Sequence, residues 1–270
     1  MVTLPPEIVE LTESDRSVNM CIYGDSGAGK TVLAGSSNNL FLASDPGTIS
    51  AAIQGSSSKL WKTNTWDQFD KAIKWLERNP KNGFDWIVCD SVTKMQGSLI
   101  RWILNTVHDE NASRDLDIPA LPDHQKWQHM FKRYVERLIS LPQHVLFTAT
   151  VMRAEDSEGD DIVMPELQGK NGTTDPAAMS HWFCASMTTI GYLARDGEDR
   201  TLMFNASPYI TKDRLDVFTE PVEITRGGKQ VTTMADIGRK VDQATEIRPA
   251  AAPRKATPTR RRGPAKRVSA

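Results

Sequence analysis

The stretch VNMCIYGDSGAGKT, residues 18–31, decides how the chain is read. Its first six residues have the apolar, β-prone character of a buried strand, and its last eight fit G-x-x-x-x-G-K-[ST] from Gly24 to Thr31. A short helix, KTVLAGSS, is expected next. Strand, glycine-rich turn and helix in this order aim successive backbone N–H groups, at a helix N-terminus, toward one point. That is how a chain cradles phosphate. Gly24, Asp25, Ser26, Gly27, Ala28, Gly29, Lys30 and Thr31 are therefore assigned to a nucleotide's phosphates. Lys30 is expected to reach the β- and γ-phosphates, and the Thr31 hydroxyl to bind magnesium. A chance Gly/Ser-rich turn before a helix would need both the eight-residue match and its flanks to be accidental.

Working outward, the chain has 270 residues, enough for one large domain or two small ones, with 39% hydrophobic and 25% charged residues, a balance that favours a soluble globular protein. No run approaches the roughly 18 apolar residues that span a membrane, so no membrane partner is expected. The opening MVTLPPEIVELTESDRS is acidic and lacks an apolar centre, unlike a signal peptide. Cys21, Cys89 and Cys184 are odd in number and show no metal-ligand spacing; a reducing cytoplasm is the simplest compartment. The net charge of -1 conceals a tail with eight Lys/Arg and one acid from Ala244 onward, so the tail is +7 and the rest -8. Three parts are expected: an N-terminal segment 1–16, a folded domain 17–243, and a basic tail 244–270 too poor in apolar residues to pack.

Within the domain, LFLASD (40–45) reads as a strand stopped by Pro46-Gly47, SKLWKTN as a short strand, and TWDQFDKAIKWLERNP as a helix closed by Pro80. FDWIVCD is the next strand. Helices are expected over about 93–108 and 122–140, then a strand HVLFTATV (144–151). An acidic loop, Glu155 to Asp161, leads to IVMPEL and a polar Gly-rich stretch. SMTTIGYLAR and RTLMFNAS then read as a hairpin through DGED, and MADIGRKVDQA as a last helix. Strands alternating with helices, followed by a β-rich end, predict an α/β fold: a mostly parallel sheet flanked by helices, with an antiparallel extension near the C-terminal end.

Asp90 ends the apolar run WIVCD. Alone this is a strand meeting a loop; beside Lys30 and Thr31 it is the expected magnesium partner, direct or through water. The next residue is Ser91, where many ATPases carry a glutamate that activates water. If the strands are parallel, LFLASD ends at the same sheet edge, which puts Asp45 near the γ-phosphate as a candidate base. Asp45 also satisfies a plain Asp-Pro-Gly turn.

The Gly24–Thr31 motif, an acid ending the following strand, and Asp90-Ser91 together resemble the RecA-like ATPases, over about residues 17–220. The closest resemblance is to phage-encoded ATPases with a compact RecA core, described as single-strand annealing or recombinase proteins, often under a general AAA-domain label. That resemblance implies ATP and Mg2+ as ligands and a base on the neighbouring strand, as proposed for Asp45, although the family more often has Glu there. AAA+ proteins would show Asp-Glu at positions 90 and 91. The resemblance also implies a γ-phosphate sensor at the end of HVLFTAT, where Thr150 falls. YITKDRLDVF resembles the Lys-x-Arg element that related ATPases project into a neighbour's site. It implies that Lys212 and Arg214 act across a homo-oligomer, ring or filament, with the alternative of a solvated turn. His124 and His129, five apart, read as surface residues rather than metal ligands.

RecA-like proteins bind single strands through loops after the sensing strand. Here that region starts with acids that repel phosphate, leaving Lys170 and Asn171 as weak candidates. The segment RKATPTRRRGPAKR is the stronger candidate for DNA contact, expected to be single-stranded, with a solubilising or protein-docking arm as its alternative. Two functions are carried forward. One is an ATPase acting on DNA in recombination, annealing or replication. The other is a DNA-binding assembly protein in which ATP orders the oligomer and turnover is slow.

Overall fold

The computed structural model describes residues 17–43, 47–155, 158–169 and 177–246. Its elements are β1 (Asn19–Tyr23), α1 (Lys30–Ala34), β2 (Leu40–Ala43), α2 (Thr48–Ile53), β3 (Lys59–Lys62), α3 (Trp66–Arg78), β4 (Trp86–Asp90), α4 (Val92–Glu110) and α5 (Leu121–Ile139). There follow β5 (His144–Ala149), β6 (Val151–Glu155), β7 (Asp161–Pro165), α6 (Ala178–Ser186), β8 (Thr189–Asp196), β9 (Asp199–Met203), β10 (Lys212–Asp213), β11 (Val222–Arg226), β12 (Lys229–Gln230) and α7 (Met234–Thr245).

The main sheet runs β12-β11-β9-β8-β1-β5-β4-β2-β3, with β10 also paired to β8. From β3 to β8 every pairing is parallel; β9, β10, β11 and β12 are antiparallel. The central strands are apolar on both sides because both sides are covered. Cys21 and Tyr23, Ile87 and Cys89, Val145 and Phe147 pack against α3, α4, α5 and α6. Met20 and Ile22, Trp86 and Val88, and Leu146 pack against α1 and α7. The three cysteines are free and buried in these layers.

Local signals set the helix boundaries. Thr65 and Gln68 form a reciprocal capping box at the start of α3, as do Thr233 and Asp236 at α7. Ser91 is the N-cap of α4, its hydroxyl accepting from the Lys94 N–H at 3.3 Å. The Asp90–Ser91 peptide is cis.

Four details depart from the sequence reading. HVLFTATV is not one strand: β5 ends at Ala149, and after Thr150 the chain starts β6, which pairs antiparallel with β7 in a separate ribbon. The Gly-rich stretch contains α6, a helix apolar nearly all round, so it lacks the amphipathic stripe by which helices are read. The short helix α2 and the strand β11 also went unread; α2 is six residues long with little periodicity, whereas the alternation of VEIT in β11 was legible. Finally, α7 continues to Thr245, two residues past the expected end of the domain.

Candidate active site

Because β2, β4, β5, β1 and β8 run parallel, their C-terminal ends gather at one sheet edge, where an open parallel sheet binds ligands. Ala43 pairs with Asp90, Asp90 with Thr148, and Tyr23 with both Ala149 and Tyr192. The turn from Gly24 to Gly29 leaves this edge and α1 begins at Lys30, so the sequence motif folds as expected. Glycine is required at both ends of this turn. A Cβ on Gly24 would lie 2.5 Å from the Leu193 carbonyl oxygen, and Gly29 has φ +97°.

Beside the turn lies a cleft of about 590 Å³ lined by Ser26, Gly27, Gly29, Lys30, Thr31, Asp90, Ser91, Lys94, Thr150 and Arg200, among others. Thr31 Oγ1 donates to Asp90 Oδ2 at 2.9 Å, and Thr148 Oγ1 donates to Asp90 Oδ1. Asp90 is 7% exposed and Thr148 wholly buried, so hydroxyls rather than water hold this carboxylate in place. Lys30 Nζ donates to the carbonyls of Gly24 (2.7 Å) and Asp25 (2.9 Å). Burial pushes the Lys30 ammonium below its ordinary range, against the pull of Asp90, Asp25 and Cys21. An incoming polyphosphate would restore the charge that burial disfavours.

The hydroxyl of Thr31 and the carboxylate of Asp90 are hard oxygen donors 2.9 Å apart, a set that suits Mg2+, which takes few protein ligands and keeps its waters. Among the described residues no group of three His, Cys, Asp or Glu forms a metal site. His124 is half-buried and accepts from the Trp127 indole at 3.4 Å, and His129 is exposed.

Other expected residues fall in different places. Thr150 lines the cleft, but its hydroxyl donates to Glu166 Oε2 at 2.5 Å and reaches Thr93 Oγ1 at 3.3 Å. The segment 166–169 is fastened to the start of α4, since Thr93 Oγ1 donates to Glu166 O and Gln96 exchanges two hydrogen bonds with the backbone of Gln168. Lys212 and Arg214 do not line the cleft. Lys212 Nζ donates to the carbonyls of Cys184 and Ala185, and Arg214 to Ala185, at the C-terminal end of α6, where cations suit the helix dipole. Asp45, Lys170, Asn171 and residues 247–270 of the basic tail lie outside the described residues.

Sequence reasoning missed Thr148, Lys94, Glu166 and two arginines. Thr148 was legible: in a strand it shares a face with Thr150, two residues on, and it is the polar exception in VLF-T-A. Arg195 and Arg200 flank the DGED turn directly opposite one another, and both reach the phosphate turn. Arg195 Nη1 donates to Gly27 O at 3.3 Å and Arg200 Nε to Ala28 O at 3.0 Å. The parallel pairing of β8 with β1 carries them there, and nothing local in the sequence announces that pairing.

Among the described residues no helix is long and apolar enough to cross a membrane. No curated protein shows significant similarity to the chain. Among solved structures, one described as an ATPase domain is similar at 13% identity and a TM-score of 0.42, covering 81% of this chain and 85% of that one, a likeness too low to transfer any residue's role. The family model described as AAA domain matches residues 16–215, which includes the phosphate turn, the Asp90 strand and the sheet edge that joins them. The chain belongs to this AAA domain family and is a P-loop ATPase.

Proposed function

We propose that the protein hydrolyses ATP to act on DNA, in recombination, single-strand annealing or replication, as do the phage-encoded ATPases it resembles. The observation that carries the catalytic part is the Thr31–Asp90 hydrogen bond beside Lys30, which sets metal and phosphate ligands side by side. The turn from Gly24 to Thr31 binds the phosphates, and Lys30 leaves its two carbonyl partners for the β- and γ-phosphates. Thr31 and Asp90 would hold Mg2+, which would supply positive charge to offset the negative charge that develops on transfer. Asp45, two residues beyond the end of β2, orients the attacking water and takes its proton. Ser91 has no share in that step: as the N-cap of α4 it fixes the chain leaving Asp90. Thr150 senses the γ-phosphate by exchanging its bond with Glu166 for one to phosphate.

Lys212 and Arg214 serve a neighbour's site in a homo-oligomer, and the basic tail holds single-stranded DNA through counterion release. The test of the chemistry is Asp45→Asn. Full loss of phosphate release with ATP binding retained is the expected result; unchanged release removes Asp45 as the base. Deleting residues 247–270, which spares α7, should weaken DNA binding and flatten its salt dependence while ATPase activity persists. Undiminished binding by the truncated chain would exclude the tail.

A further inference from the structure

The two arginines of the β8–β9 hairpin have no role in the account so far. They are register partners, and like charges directly opposite in an antiparallel pair repel. Among the described residues neither forms an ion pair; every hydrogen-bond acceptor they have is neutral. Arg195 is exposed, with Nε on Gly197 O at 2.9 Å and Nη1 on Gly27 O. Arg200 is half-buried, lines the phosphate cleft, and lies so close over Gly29 that a Cβ there would come within 2.6 Å of its Nε. Its Nε is committed to Ala28 O, and its Nη1 to Glu198 O (3.2 Å) and Thr225 Oγ1 (3.5 Å). Its Nη2 makes no hydrogen bond with a described residue.

A guanidinium lying over the phosphate turn and fixed on two of its nitrogens, with the third making no hydrogen bond and no carboxylate paired to it among the described residues, is arranged for an anion. We propose that Arg200 is a phosphate ligand supplied in cis: it binds the diphosphate part common to ATP and ADP while holding the Ala28 carbonyl outward. With that carbonyl turned away, the N–H groups that follow face the ligand. Arg195 is a positioning residue, acting on the same turn through Gly27. The diphosphate is the relevant part because Arg200 overlies Gly29, in the stretch whose backbone cradles the α- and β-phosphates. This role differs from that of Lys212 and Arg214, which lie at the end of α6 and are assigned to a neighbour.

The inference rests on the ATPase reading, and the test separates the two. Displacement of a fluorescent ADP analogue from the full chain is measured for ADP, ATP and adenosine, using wild type, R200A, R200K and R200Q. No nucleotide binding by wild type refutes the ATPase reading itself. With wild type binding, R200A should weaken ADP and ATP alike by about tenfold or more and leave adenosine unchanged, in keeping with loss of a charge-assisted bond. R200K should recover part of the loss, since it keeps the charge without the fork. R200Q keeps a donor for the Ala28 carbonyl and loses the charge. Wild-type ADP affinity in R200Q would reduce Arg200 to a pin on the backbone and overturn the proposal, as would R200A within about twofold of wild type. Should R200A fail to fold, R200K and R200Q decide the matter alone.

Discussion

Replacing Thr148 by valine removes one hydroxyl from the structure and nearly nothing else. That hydroxyl donates to Asp90 Oδ1, while Thr31 donates to the other oxygen. Thr148 is 0% exposed and Asp90 7%, so water cannot take the place of the lost donor. A hydrogen bond to a charged group contributes about 1.5–3 kcal/mol, and the valine methyl recovers a little by apolar burial, so a net loss of about 1–2.5 kcal/mol is expected. For a domain of this size that lowers the melting temperature by roughly 2–10 °C. The assay is denaturant unfolding followed by tryptophan fluorescence, with Thr150→Val as the control. The Thr150 hydroxyl bonds an exposed Glu166, so its loss should cost less than about 0.5 kcal/mol. Equal stability of Thr148→Val and Thr150→Val would refute the argument that the buried Thr148 hydroxyl holds Asp90. With the Thr148 donor lost from Asp90 Oδ1, Mg2+-dependent nucleotide binding should also weaken in Thr148→Val.

Gly24→Ala sets a Cβ 2.5 Å from the Leu193 carbonyl, a backbone atom that cannot swing aside; a loss of about 1–3 kcal/mol in unfolding and weaker nucleotide binding are expected, and wild-type values for both would exclude the close approach. Asp70 meets Lys74, Arg137 and the Tyr134 hydroxyl. Burial pushes its carboxyl up, yet these hydrogen bonds outweigh burial and hold it below the usual range. Its contribution is therefore complete above the unfolded value near pH 4 and is lost as pH falls through the folded value. Asp70→Asn should cost about 1 kcal/mol at neutral pH, with the difference closing as pH falls through the folded value; a pH-independent difference between the two melting curves would contradict this.

The phosphate turn and the Asp90 strand were readable because each is a local pattern: glycines at fixed offsets, and an apolar run ending in one acid. The fold class followed from the alternation of strands and helices, and Ser91 acquired its meaning only when it proved to be a helix cap. What escaped reading depends on long-range pairing. Arg195 and Arg200 reach the phosphate turn because β8 lies beside β1, about 170 residues earlier in the chain, and no local signal encodes that neighbour. Lys212 and Arg214 were legible as an alternating cationic pair, but only the packing of β10 against α6 puts them on the carbonyls of Cys184 and Ala185. The helix α6 escaped for the opposite reason, since its apolar residues are spread nearly all round and no wide polar face marks its period.

The central claim is that the site around Lys30, Thr31 and Asp90 hydrolyses ATP. Its most direct test is phosphate release from ATP and Mg2+, with and without single-stranded DNA, comparing wild type with Lys30→Ala. The account predicts release by wild type, raised by DNA, and at least about a hundredfold less by the variant, as expected when a phosphate-clamping cation is removed. Equal release by the two proteins under both conditions would contradict it.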